Sequence, residues 1–281
     1  RNSPEGNAHQ DYVKAKLAQY MELPASSAHR VWSEVIMKVG TTTDDDQEKF
    51  FDYSFDYVIT GSQRKRLSEV AILIGRSERV TQKIAEENGF TLAKRGEYWI
   101  DDFPSDPVVI VEIMTSSTSG GDKKKRTQIA MAFEDAVLHP ERHNGPGINY
   151  RQVWARMVSQ LIVKSQVGMA WGGKTIWLIQ DVLADYISSS TALDLKQYLN
   201  EQAHEVNILS FGYDEVKSGK GKDEIFALKK ANFYAGPIMA GVSESTKQGG
   251  FVEIMKIGAP PPKTHLWRAL FLKPPCAILH I

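Results

Sequence analysis

Cysteine is almost missing from this chain, and the single Cys276 among 281 residues excludes an internal disulfide framework and any multi-cysteine zinc or iron cluster within one chain. An intracellular, cytoplasmic location is the expectation that follows. An excess of charge of either sign is missing too: lysine plus arginine and aspartate plus glutamate number 34 each, so a nucleic-acid footprint has to be a local patch and not a basic bulk. Long apolar runs are also absent. No stretch approaches the roughly 20 apolar residues of a membrane span, and Arg1-Asn-Ser-Pro-Glu-Gly6 lacks the charged-then-apolar form of a signal peptide, so no membrane partner is expected. What is present, 42% hydrophobic and 24% charged residues, suffices for one sizeable core with or without a small appendage.

Along the chain, Tyr12, Val13, Leu17 and Tyr20 recur at mostly helical spacing, and Ser26 or Ser27 offers a cap for a second helix running toward Trp32. Glu34 to Val39 reads as a short strand, followed by an acidic loop through Asp44-Asp-Asp46. Residues 53–60 and 107–115 are β-rich, the second apolar enough for a central strand. Between them a module reads as a strand (Glu69 to Ile74), a helix (Glu78 to Asn88, stopped by Gly89) and a return through Gly96 to Trp99. Two longer helices, Lys123–Leu138 and Tyr150–Val167, come next. They precede a buried strand at Thr175 to Ile179, short helices over 181–202, and strands near 206–216 and 223–234. The division expected is a helical segment over 1–30, a core over 31–235 with a module inserted at 61–102, and an extension over 236–281. The class is α/β with no internal repeat, although Val-Glu-Ile-Met occurs twice, at 111–114 and 252–255.

The chemistry concentrates on two acids. Asp56 in Phe55-Asp-Tyr-Val-Ile and Glu112 in Val-Val-Ile-Val-Glu-Ile-Met114 each sit on an apolar run, so two strands can bring hard oxygen ligands together around a divalent cation. Alternate strand residues share a face, so Glu112 and Met114 point the same way. The sheet-borne nuclease pattern asks for an acid on one strand, then an acid, any residue and a lysine on its neighbour. Ordinary buried salt bridges explain the same acids without catalysis.

Phe51-Asp-Tyr-Ser-Phe-Asp56-Tyr, Val111-Glu112-Ile-Met-Thr115, Asn144-Gly-Pro146, the helix around Gln152-Val-Trp-Ala-Arg156 and the Trp171-to-Ile179 segment follow one another in a particular order. In that order the chain resembles the NotI-type family of type II restriction endonucleases over roughly residues 34–190. The resemblance implies a restriction-endonuclease-like core, a mixed β-sheet flanked by helices, and Mg²⁺-dependent cleavage of both strands of a specific DNA site. It implies Asp56 and Glu112 as catalytic metal ligands, with Glu34 matching an additional upstream glutamate. Two departures stand out. Met114 occupies the position of a lysine in the wider superfamily and a glutamine in the NotI-type pattern, and methionine is only a weak acceptor; Lys123 to Lys125 or Lys38 are the nearest substitutes by sequence. The cysteine-bound metal module known in the family's namesake is absent, so that part of its DNA recognition is not implied here. A palindromic site would call for a twofold homodimer. The alternative, from another class, is a non-catalytic DNA-binding protein on a nuclease-like fold.

Arg64-Lys-Arg66, Lys123-Lys-Lys-Arg126 and the Lys217-to-Lys222 stretch are the local positive patches, phosphate contacts or plain solvent-facing charge. Arg151, Gln152, Arg156, Gln160 and Lys164 form one polar stripe on a helix, an arrangement suited to base edges and equally to an ordinary amphipathic surface. Gly168-Met-Ala-Trp-Gly-Gly-Lys174-Thr175 satisfies the phosphate-loop pattern letter for letter, but a helix precedes it and a strand follows. That order is the reverse of what phosphate binding needs, so a glycine helix stop is the reading and no nucleotide cofactor is expected. His139 and His143 read as a loop pair, Glu253-Ile-Met-Lys256 as a lesser rival strand, and Glu69 as a live rival for the metal-binding acid.

Overall fold

The computed structural model describes residues 4–23, 29–42, 48–114, 124, 126, 128–139, 149–213, 228–239 and 250–252. Helix α1 (Pro4–Tyr20) leads into two long antiparallel strands, β1 (Arg30–Thr42) and β2 (Glu48–Arg66). Two short helices, α2 (Leu67–Leu73) and α3 (Glu78–Glu87), and the hairpin of β3 (Leu92–Arg95) with the long β4 (Glu97–Met114) follow. Helices α4 (Ile129–Leu138) and α5 (Tyr150–Ala170) then cross over to β5 (Lys174–Gln180). Helix α6 (Asp181–Ser190) and a 3-10 turn at Leu195–Tyr198 precede β6 (Val206–Tyr213) and β7 (Leu228–Gly236).

The seven strands form one mixed sheet in the order β1-β2-β4-β5-β6-β7, with β3 paired to β4 off that path. Pairing is antiparallel from β1 through β4, parallel from β4 through β6, and antiparallel again at β7. The parallel steps occur where helices intervene, because only a crossover can return the chain in the same direction. Strand β5 sits between them, and Thr175 to Ile179 is buried throughout, as a strand covered on both faces must be. On one face α5 and α6 pack Val153, Met157, Leu161, Leu183 and Ile187 against Trp177 and Ile208. On the other, Val13, Leu17 and Tyr20 of α1 lie on Val109, Val111, Ile176 and Leu209, with Tyr20 stacked on Phe233 at 4.1 Å.

The α/β class holds, and three local expectations do not. Residues 69–74 are helical and not a strand: Leu67, Val70 and Ala71 pack at helical spacing under the hairpin, burying one side of a run whose apolar content suits either state. Trp32 lies on β1, so no helix extends to it; residues 24–28 and the acidic 43–47 lie outside the described residues. The helix expected from Lys123 starts at Ile129. Phe251 and Ile238 are buried in the α5-side core, so the stretch after β7 begins by packing on the sheet.

Candidate functional site

Strands β2 and β4 separate at one point. Their pairing runs to Tyr57–Val111, and Asp56 and Glu112 are the next residues along. There the regular alternation of β2 breaks: Tyr57 lines a cavity with Val13 and Leu17 on the α1 side, whereas Phe55, two residues away, packs edge-on to Trp171 at 5.6 Å on the α5 side. The Ile113 N–H donates to Asp56 Oδ2 at 2.8 Å in place of a strand carbonyl. Across β2, Glu34 falls between the Ser33–Tyr57 and Val35–Phe55 pairs, opposite Asp56, with a left-handed φ of 51°. Glu34, Asp56 and Glu112 therefore occupy one level on three adjacent strands. Their carboxylates do not converge: among the described residues no group of three or more His, Cys, Asp or Glu is disposed to hold a metal ion.

Glu112 is the buried member, 2% exposed. Its Oε2 accepts a hydrogen bond at 2.6 Å from Lys164 Nζ of α5, itself buried, with the ammonium 5.7 Å from the ring centre of Phe55 and 5.9 Å from that of Trp177. Among the described residues Oε1 has no partner, and neither does Nε1 of Trp177, its register neighbour on β5. A buried polar atom left unpaired costs about 1–3 kcal/mol, more when charged, so such atoms mark either a compensated strain or a ligand position. Burial pushes the Glu112 carboxyl above the usual carboxylate range; Lys164 opposes that through its hydrogen bond and charge, and the nearby negative charge of Asp56 adds to the rise.

Met114, on the same face of β4 as Glu112, packs partly buried against the hydrophobic cluster under α5 and α6. Glu69 is exposed on the first turn of α2, past the far end of β2 and away from the level of Asp56. Lys164, expected on the solvent-facing stripe of its helix, is buried: it falls three residues after Leu161 and seven after Met157, on the inward side. That spacing is the sequence signal for it. Arg151, Gln152, Arg156 and Gln160 do face solvent, and Asn149 caps the helix by accepting from Gln152 N–H at 3.1 Å.

Among the positive patches, Arg126 is bound to α4, donating to Asp135 at 2.7 and 2.8 Å and to Glu134 at 2.9 Å, which holds its guanidinium even more firmly charged than usual. Lys124 is exposed, while Lys123, Lys125, the side chain of Lys38, His143, Lys217 to Lys222 and Glu253 to Lys256 lie outside the described residues. Arg64, Lys65 and Arg66 lie on β2 and not in a loop. Arg64 and Arg66 flank Trp99 at 4.6 and 5.3 Å from its ring centre, and each pairs with an acid of β4, Asp101 and Glu97, at 3.1 Å.

The phosphate-loop look-alike is a helix stop. Gly172 N–H bonds to Met169 O and Gly173 N–H to Gly168 O, with Gly172 at φ 68°, the paired bonds that close an α-helix through a left-handed residue. No described helix is long and apolar enough to cross a membrane. Comparison with protein-family models, with curated proteins and with solved structures finds no match for this chain.

Proposed function

We propose that the chain is a site-specific DNA endonuclease on a restriction-endonuclease-like core, cutting both strands of a duplex with Mg²⁺ at the fork of β2 and β4. The observation that carries the reading is the buried Glu112, held by Lys164 through one oxygen with the other unpaired, next to the carboxylate of Asp56. The donor set fits the cation. Mg²⁺ takes hard oxygen ligands, often only one or two carboxylates, and fills the rest of its shell with water and phosphate oxygens. Asp56 and Glu112 would hold it, and when bound it supplies a water of lowered pKa and neutralises charge on the scissile phosphate.

Lys164 answers the loss at Met114. Its ammonium arrives from α5 instead of from the strand, favours the ionised form of Glu112 against the effect of burial, and fixes the carboxylate with Oε1 left free. Glu34, at the same level on the edge strand, is exposed and supplies further negative charge at the mouth of the site. A palindromic target would be met by two copies related by a twofold axis.

The test is conversion of supercoiled plasmid by purified protein with Mg²⁺, in the native chain and in Asp56→Asn, Glu112→Gln and Lys164→Met. Cutting by the native chain and its loss in the first two variants is the expected result. A second reading, a non-catalytic DNA-binding protein on the same fold, is favoured by the 2.6 Å contact, since a closed Lys164–Glu112 pair is already neutral without a cation. Under that reading Mg²⁺ neither produces cutting nor raises the melting temperature, because a ligand bound only by the native state must stabilise it.

A further inference from the structure

The far ends of β2 and β4 carry a unit that the carboxylate site does not use. Helices α2 and α3 are joined by the four residues Ile74–Ser77, and the turn is closed by Gly75 N–H to Ile72 O at 3.1 Å and Arg76 N–H to Ala71 O at 2.9 Å. Gly75 has φ 63°, which a side chain would strain. Small residues are buried on both helices, Ala71 on α2 and Thr81 and Ala85 on α3, and Leu67, Val70 and Ala85 share a core with Ile100 of the hairpin. The order helix, tight glycine turn, helix, two-stranded hairpin is that of a helix–turn–helix with a wing.

Burial at Thr81 and Ala85 turns the opposite side of α3 to solvent, and Arg79 and Lys83 project there one turn apart, with the half-buried Gln82 beside them. Arginine, glutamine and lysine are the side chains that pair with guanine and adenine edges. Among the described residues Lys83 and Gln82 pair one turn along the helix, with Glu87 at 3.7 Å and Glu86 at 2.9 Å, contacts that an incoming base edge can replace. Residues 67–97 balance five lysines and arginines against five acids, and the local positive excess comes from Arg64, Lys65 and Arg66 just before them on β2. Arg76 at the turn, Arg79 on α3 and Arg95 at the hairpin tip have no carboxylate partner among the described residues.

We infer that Leu67–Glu97 is a DNA-reading module in which α3 enters the major groove, Arg79, Gln82 and Lys83 contact base edges, and Arg76 and Arg95 hold the backbone. This deepens the endonuclease reading and rests on it for the duplex being the substrate. Ten residues of β2, with register shifts at Thr60/Gly61 and Gln63/Lys65, separate Asp56 from Arg66, at most about 33 Å at about 3.3 Å per residue, on the scale of one turn of B-form DNA. A duplex lying along β2 would then be read about one helical turn from the phosphate being cut.

The experiment is selection from a random-sequence duplex library without divalent metal, with the full chain and with Arg79→Ala, Gln82→Ala and Lys83→Ala combined. None of the three is buried, so the melting temperature should stay nearly unchanged. The native chain should enrich a sequence with a block of positions about ten base pairs from any mapped cut; the variant should lose that block and bind at least about tenfold more weakly. Binding that is lost in the variant while neither protein cuts with Mg²⁺ upholds the module and sinks the endonuclease reading. Unchanged affinity and unchanged enriched sequence overturn the module, whatever cutting shows. The exposed Ile72 and Leu73 suit a second copy of the chain instead; unchanged DNA binding by the α3 variant together with loss of a dimer in Ile72→Glu would overturn the inference in that direction.

Discussion

The two ends of β2 and β4 handle charge in opposite ways. At the fork, Glu112 and Lys164 are removed from water and face each other between Phe55 and Trp177. At the other end, Arg64 and Arg66 lie across Trp99 in contact with solvent, each paired to an acid. Buried charges interact strongly and shift one another's protonation; exposed ones are screened and contribute affinity for a polyanion more than stability. Under the proposed function, one pair of strands would carry the chemistry at one end and hold the duplex at the other.

Breaking the buried end should have the largest effect. Lys164→Met leaves Glu112 uncompensated and should cost about 3–5 kcal/mol, read by urea unfolding. Replacing both partners, Glu112→Leu with Lys164→Met, should recover most of that stability while plasmid cutting stays absent, because a buried pair can be exchanged for apolar groups at little cost. Recovery of cutting in the double variant would mean that the pair is only a brace.

The protonation of Glu112 sharpens the contrast. Its carboxyl is raised above the ordinary 4.5, so the native state holds the proton more tightly than the unfolded chain. Its contribution to stability is therefore present below about pH 4.5 and is lost as pH rises through the raised value. Relative to Glu112→Gln, the native chain should lose stability over that window, read as a difference in slope and not in offset. Under the endonuclease proposal the metal would need the ionised form, so cutting should fall on the acid side of the same value. Lys164→Met removes the ammonium that holds the value down and should move any residual acid limb to higher pH.

At the exposed end the effects should be small. Arg66→Ala breaks a solvent-exposed pair with Glu97 and should change stability by less than about 1 kcal/mol, while weakening DNA binding more at low salt than at high. A larger stability loss would mean that the Trp99 stack holds the hairpin together.

Much of this arrangement is legible in the residues. The apolar run before Glu112 marks a central strand, Gly89 and Gly172 mark helix ends, and Asp56 and Glu112 fall at one level on adjacent strands. Residues 69–74 are not, because Val-Ala-Ile-Leu-Ile suits a buried strand as well as a short helix, and only the packing of Leu67, Val70 and Ala71 decides. Lys164 is hidden by its charge: a lysine reads as solvent-facing until the inward spacing from Met157 and Leu161 is weighed against it. The opposition of Glu34 to Asp56 depends on the β1–β2 register, which local pattern does not set.

The most direct measurement is Mg²⁺-dependent cleavage of plasmid DNA by the native chain beside Asp56→Asn and Glu112→Gln, with DNA binding followed in parallel. Discrete fragments from the native chain, none from either variant, and binding retained in all three are the expected result. Cutting that survives in either variant, or a native chain that binds DNA and never cuts it, would contradict a metal site at the β2–β4 fork.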